Sequence, residues 1–184
     1  MVSVSRENMM RILPYLGLPV PVILLLIMRE GRTEPFVLLW HELLIVFGYL
    51  AAVLDLKTRR IPNKLIMLML AVWVMTLVPK LFIDPGTSVE MLIEGALGFM
   101  VCGAIFLVVY IFSRNGLGGG DVKFMAVAGL YLGLENSVPA VFIGTVAAAI
   151  TGIVLIVLKK IQRKDPIPLV PFLYAGILVT LFLR

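Results

Sequence analysis

Long apolar runs alternate with short polar or Gly/Pro-bearing links along the whole chain. The apolar stretches cover approximately 12–28, 36–54, 61–83, 91–112, 122–134, 138–158 and 167–183. Several reach the ~20 residues that a helix needs to cross bilayer hydrocarbon. The pattern predicts an all-α, polytopic membrane helical bundle forming a single membrane domain over 1–184. Six helices build its core, residues 36–184, and a hydrophobic N-terminal segment lies within 1–35. The fifth stretch, Val122 to Leu134, is short for a span, so it either crosses incompletely or begins at a glycine loop below the membrane surface. Irregular backbone at that depth has to be buried in protein or line a wet cavity.

The first stretch, "RILPYLGLPVPVILLLIM", is followed by Arg29 and Glu30 where a cleaved signal peptide would carry small residues. An uncleaved anchor is the expectation. Pro14, Pro19 and Pro21 keep a kinked or re-entrant segment open, because each removes a backbone donor.

Composition supports the membrane assignment: 61% of the 184 residues are hydrophobic and 15% charged. Of the 16 Lys and Arg, twelve fall on one side if the seven segments alternate (Arg6, Arg11, Lys57, Arg59, Arg60, Lys64, Arg114, Lys123, Lys159, Lys160, Arg163, Lys164), and four on the other (Arg29, Arg32, Lys80, Arg184). The positive-inside rule then predicts a cytoplasmic N-terminus, cytoplasmic links at 55–64, 113–123 and 159–166, and an external C-terminus. The net charge of +5 is spread over loops with no nucleic-acid signature, so anionic lipid is the expected partner and nucleic acid is not. The single cysteine, Cys102, lies in an apolar run, which excludes internal disulfides and a Cys-rich zinc module.

Two aspartates stand out. Asp55 closes an apolar run in "AAVLDLKTRRIPNKL" and Asp121 opens another in "GGGDVKFMAVAGL". Charge at a span boundary is costly enough to suggest function, although Asp121 also suits a helix cap and Asp55 a solvated acid paired with Lys57, Arg59 or Arg60. Gly116, Gly118, Gly119 and Gly120 exceed what a cap needs and suit a sharp bend or a close backbone approach. A phosphate loop would continue into Lys-Ser/Thr; this one continues into a carboxylate.

Gly118-Gly119-Gly120-Asp121 resembles the Gly-x-Gly-Asp signature of intramembrane aspartyl proteases, and its extension through Lys123 resembles the type IV prepilin peptidase branch. Asp55 with Ile61-Pro62-Asn63 resembles the segment around that branch's other aspartate, and "IPLVPFLYAG" is similar, more loosely, to a Pro-rich segment of the family. The resemblance covers approximately residues 40–184. It implies a peptidase core in which Asp55 and Asp121 form a catalytic dyad, with Gly118, Gly119, Gly120, Lys123, Pro62 and Asn63 in support. The implied substrate is a prepilin-like or archaeal preflagellin-like protein with a hydrophobic N-terminal helix, cut at the cytoplasmic face of the cell membrane. No metal or other cofactor is implied. With one cysteine and no long loop, peptidase activity without the N-methyl transfer of larger relatives is expected. Asp121 is expected to start a helix and Asp55 to finish one, which favours Asp121 as the resting base; the cations beside Asp55 oppose that order.

Other residues weigh less. Lys123, two positions beyond Asp121, points away from it on a helix and suits a lipid headgroup. Pro62 and Asn63 suit a helix start. His41 and Glu42 diverge as helical neighbours and, with no second histidine, make a poor metal pair. Glu94 suits snorkelling or pairing, and the ten methionines suit packing. Gly144, Ala148 and Gly152 suit helix packing within one chain or between two. A competing function is a non-enzymatic transporter or assembly scaffold whose acids bind a cation or proton.

Overall fold

The computed structural model describes residues 19–29, 34–113, 117–160 and 167–183. Helix α1 covers Pro19–Arg29, α2 Pro35–Thr58, α3 Asn63–Ile83, α4 Pro85–Phe112, α5 Gly119–Val157 and α6 Val170–Leu183. The all-α bundle expected from the apolar runs is what the chain forms, and four of these helices are long and apolar enough to cross a membrane. Pro19 and Pro21 fall in the first turn of α1, where a missing donor costs nothing. Pro14, Gly116 and Arg114 lie outside the described residues, as do Arg6, Arg11, Glu30, Arg32, Arg163, Lys164, Asp165 and Arg184.

The chain reverses inside α5. Gly133 has φ 68° and ψ 176°, a backbone state available to glycine because it lacks Cβ. The arm before it packs antiparallel to α4, with Gly98 against Gly129 and Gly133, and Gly103 against Ala126. The arm after it runs back antiparallel to α6, with Ala140 and Gly144 against Gly176, and Gly152 against Ile167. The fifth and sixth apolar stretches are therefore two arms of a helical hairpin, joined at Gly133 and not by a separate loop over 135–137. With α2, α3, α4 and α6 they make six helical segments over residues 36–184.

A turn this tight interrupts the helical hydrogen bonds, and in lipid the freed groups need partners from the protein. The Leu134 amide donates to Glu94 Oε2 at 3.3 Å. Its helical counterpart, the Leu130 carbonyl, accepts from Trp73 Nε1 at 3.1 Å. Glu94 thus holds the hairpin turn instead of snorkelling. Gly144 lies against the α6 backbone at Phe172 and Leu173, so this part of the small-residue stripe packs within the chain.

The links at the end of the bundle holding Gly133 are equally economical. Asp84 ends α3 and caps α4, accepting from the Thr87 hydroxyl at 2.6 Å and the Thr87 amide at 3.4 Å. Glu34 caps α2 by accepting from the Val37 amide and also pairs with the buried Lys80 ammonium, which sits 4.9 Å from the Phe36 ring centroid. Exposed Met67, Met75, Phe82 and Phe142 give the bundle the apolar exterior a bilayer requires.

Candidate active site

Asp55 lies in the last turn of α2 and Asp121 in the first turn of α5. Both are at the end of the bundle opposite Gly133, although 66 positions of chain separate them (121 − 55). The two carboxyl groups are close enough to interact electrostatically. Asp55 is 5% exposed, whereas Asp121 is only partly buried.

Asp55 is fixed from two directions. The chain leaves α2 through Arg59, whose left-handed φ of 52° turns its amide back to the Asp55 carbonyl at 2.8 Å. Thr58 Oγ1 bonds the carbonyls of Leu54 and Arg60 at 2.8 and 3.0 Å, closing the same turn. From α6, the Val170 amide donates to Asp55 Oδ2 at 3.1 Å, and the Leu169 amide addresses the same carboxyl. Arg59 also lies within electrostatic range of Asp55. The segment "IPLVPFLYAG" therefore delivers backbone donors to one of the two acids, a role that its side chains do not announce.

Asp121 is not the helix cap itself. Gly118 occupies that position with φ −79° and ψ 140°, and Asp121, three residues on, reaches back to accept from the Gly118 amide at 3.1 Å. Gly119 and Gly120 belong to the first helical turn and take no left-handed conformation, so the sharp-bend reason for these glycines does not apply. Close approach does apply at Gly120, where an added Cβ would sit 3.3 Å from Ile61 Cβ. Around Gly119 no described residue lies within 4 Å of such an atom, so among the described residues the backbone beside Asp121 is open there.

Pro62 is the residue before α3 and Asn63 its first helical residue. Lys123 Nζ donates to Asn63 Oδ1 at 3.1 Å, so Lys123 bridges α5 to α3. Ile61, buried against Gly120, and this bridge join the two aspartate motifs. The lysines and arginines of this end, Lys57, Arg59, Arg60, Lys64, Lys123, Lys159 and Lys160, contrast with Arg29 and Lys80 at the other, among the described residues. His41 and Glu42 lie on the first turns of α2, remote from the two aspartates, and Cys102 is buried and unpaired.

Fold and site define a class: a multi-pass α-helical membrane protein with two carboxyl groups gathered from different helices at one end of the bundle. Residues 42–153 match the model of the type IV leader peptidase family. The chain is 29% identical over 128 residues to the prepilin leader peptidase/N-methyltransferase of Bacillus subtilis, covering 69% of this chain and 48% of the relative. It is 32% identical over 144 residues to the protein of the same name from Burkholderia pseudomallei, covering 76% of this chain and 46% of the relative. The chain thus spans about half the length of these curated relatives. No solved structure matches. The protein belongs to the type IV leader peptidase family.

Proposed function

We propose that the protein is an aspartic endopeptidase that removes the N-terminal leader from prepilin-like membrane proteins, with Asp55 and Asp121 as its catalytic pair. The observation that carries this reading is the convergence of the two carboxyl groups from the end of α2 and the start of α5. Family membership supplies the reaction class.

The chemistry follows from one shared proton. Two close carboxyl groups do not both ionise cheaply, so one is an anion and its partner an acid. The anion takes a proton from water as the oxygen attacks the scissile carbonyl. The acid hydrogen-bonds that carbonyl and stabilises the developing oxyanion. Collapse of the tetrahedral intermediate breaks the C–N bond as a proton passes to the leaving amine. The helix ends favour the anion at Asp121, in a first turn, but the Val170 amide and Arg59 act on Asp55 and favour its anion, so these contacts support Asp55 as the resting base. The open backbone at Gly119 gives an extended substrate segment room to lie beside Asp121.

Charge segregation supports an orientation in the cell membrane with this basic end at the cytoplasmic face. The substrate's leader would then be cut just before its hydrophobic helix enters the bilayer. For these 184 residues we propose peptidase activity without methyl transfer, because they hold one cysteine and no link long enough for the cysteine-bearing domain of larger relatives.

Co-expression with a prepilin-like substrate tests the reading. Wild type is expected to shorten the substrate on a gel, while Asp55→Asn and Asp121→Asn each abolish processing at unchanged membrane levels. Processing that persists in both variants would remove the dyad.

A further inference from the structure

Asp55 and Asp121 come from different helices, so their separation is set by whatever fixes the end of α2 against the start of α5. One contact there limits approach. Ile61, 8% exposed, lies against Gly120, where an added Cβ would sit 3.3 Å from Ile61 Cβ and 3.5 Å from its backbone N and O. Packing of this kind resists compression strongly and separation only weakly. A different contact limits separation. Lys123 Nζ donates to Asn63 Oδ1 at 3.1 Å, the one side-chain hydrogen bond between the two aspartate motifs among the described residues.

Each end of this bridge is stiffly connected to an acid. Lys123 follows Asp121 by two positions in the opening turns of α5. Asn63 begins α3 directly after the short link from Arg59 to Pro62. The Arg59 amide on the Asp55 carbonyl, the two Thr58 hydroxyl contacts and the fixed φ of proline hold that link. A ring therefore closes from Asp55 through the link, Asn63 and Lys123 to Asp121. Asparagine near a helix start commonly turns its side chain onto its own backbone; here its oxygen serves another helix. The bridge does not act through charge. Asp55 is the charge that acts on Asp121, Arg59 is the charge that acts on Asp55, and α6 adds the Leu169 and Val170 amides. The Lys123 ammonium is not among the charges acting on either carboxyl group.

We propose that Lys123 and Asn63 are positioning residues whose bridge holds the two carboxyl groups at the separation where they share one proton, with Ile61 against Gly120 as the opposing stop. The inference rests on the reading of Asp55 and Asp121 as the catalytic pair. Proton sharing requires short range, and a displacement of about 1 Å between reacting groups can slow a reaction on the order of a hundredfold. Both side chains of the bridge are exposed, so removing it leaves the core packing intact while it changes turnover.

The test is steady-state cleavage of a prepilin-like substrate by the full chain in nanodiscs, with kcat, KM and the pH–rate profile measured for each variant. Lys123→Met and Asn63→Leu should each lower kcat roughly ten- to hundredfold with KM little changed. The double variant should be no slower than the slower single one, because both remove the same contact. Lys123→Arg keeps a donor and should recover most of the rate. The pH profile separates the mechanisms: a looser pair interacts less, so the acid and alkaline limbs move toward each other. Loss of an electrostatic effect would move both limbs to higher pH together, and loss of folded protein would lower the profile with its limbs in place. Either of those patterns, additive losses, Lys123→Arg as slow as Lys123→Met, or wild-type kcat in both single variants would overturn the proposal. Asp55→Asn and Asp121→Asn keep the two readings apart. Cleavage abolished in both, beside full cleavage by Lys123→Met, removes the role of the bridge alone; cleavage surviving in both removes the pair and the bridge with it.

Discussion

The Val170 amide donates to Asp55 Oδ2 at 3.1 Å across 115 positions of sequence. A backbone donor from α6 therefore sets the orientation of a carboxyl group on α2, and no side chain other than Asp55 takes part in the bond.

Deleting that donor is the direct check of its contribution. Val170 is the first residue of α6, a position where proline is tolerated, so Val170→Pro removes the N–H at little cost to the helix. A hydrogen bond to a charged group contributes about 1.5–3 kcal/mol. Leader processing is expected to fall roughly ten- to hundredfold at unchanged protein level, measured by the rate of substrate shortening. Processing at the wild-type rate would show that Asp55 is held adequately without α6.

Gly119 and Gly120 are expected to part company on mutation. A methyl group at Gly120 would sit 3.3 Å from Ile61 Cβ, so crowding offsets the roughly 1 kcal/mol that alanine gains over glycine in a helix and Gly120→Ala should be less stable than Gly119→Ala. At Gly119 the methyl group meets no described residue, so Gly119→Ala should raise the melting temperature slightly, through the roughly 0.4–1 kcal/mol that alanine gains over glycine in a helix. If the substrate lies along that open backbone, the same variant raises KM. A coincident loss of stability in both variants would contradict the packing described at Gly119.

Glu94 is expected to behave as a cap inside the membrane. Glu94→Ala leaves the Leu134 amide without its acceptor and should cost about 1 kcal/mol, whereas Glu94→Gln keeps a carbonyl oxygen there and should cost less. Thermal unfolding of the two variants in detergent gives the comparison. Equal melting temperatures for Ala and Gln would show that the Leu134 contact does not hold the hairpin.

The pH response of the link between α3 and α4 follows from Asp84. The Thr87 hydroxyl, then the Thr87 amide, hold its carboxyl below the usual carboxylate range. A lowered folded pKa means that the unfolded chain binds the proton first. The stabilisation is therefore present above the unfolded value of about 3.9 and is lost as pH falls through the folded one. Asp84→Asn should remove this component of the acid sensitivity. Melting curves from neutral pH down to about 3 would be steeper for wild type; parallel curves would leave Asp84 without this role.

The apolar runs located the crossings because lipid exposure demands continuous hydrophobicity, and the hairpin turn leaves that requirement intact. The turn itself was less legible. Gly133 reverses the chain inside the fifth apolar stretch, just before the polar link at 135–137 where the sequence placed the break, and its partners Glu94 and Trp73 come from other helices. Asp55 and Asp121 were conspicuous as charges at the ends of apolar runs, and the structure brings them to the same end of the bundle. Val170 was not conspicuous, since a backbone donor leaves no mark on residue type. The Lys123 bridge was illegible for a related reason: helical spacing states which way Lys123 points from Asp121 but not that Asn63 of α3 lies there.

The contact between Asp55 and Val170 also bears on the order of events during synthesis. By the time Val157 has emerged, both acidic residues already exist in the nascent chain, yet one still lacks the amides that orient it. That orientation arrives only when α6 inserts and packs against α2. Biogenesis thereby sets an order: the donor that orients Asp55 is the last part of the site to be made.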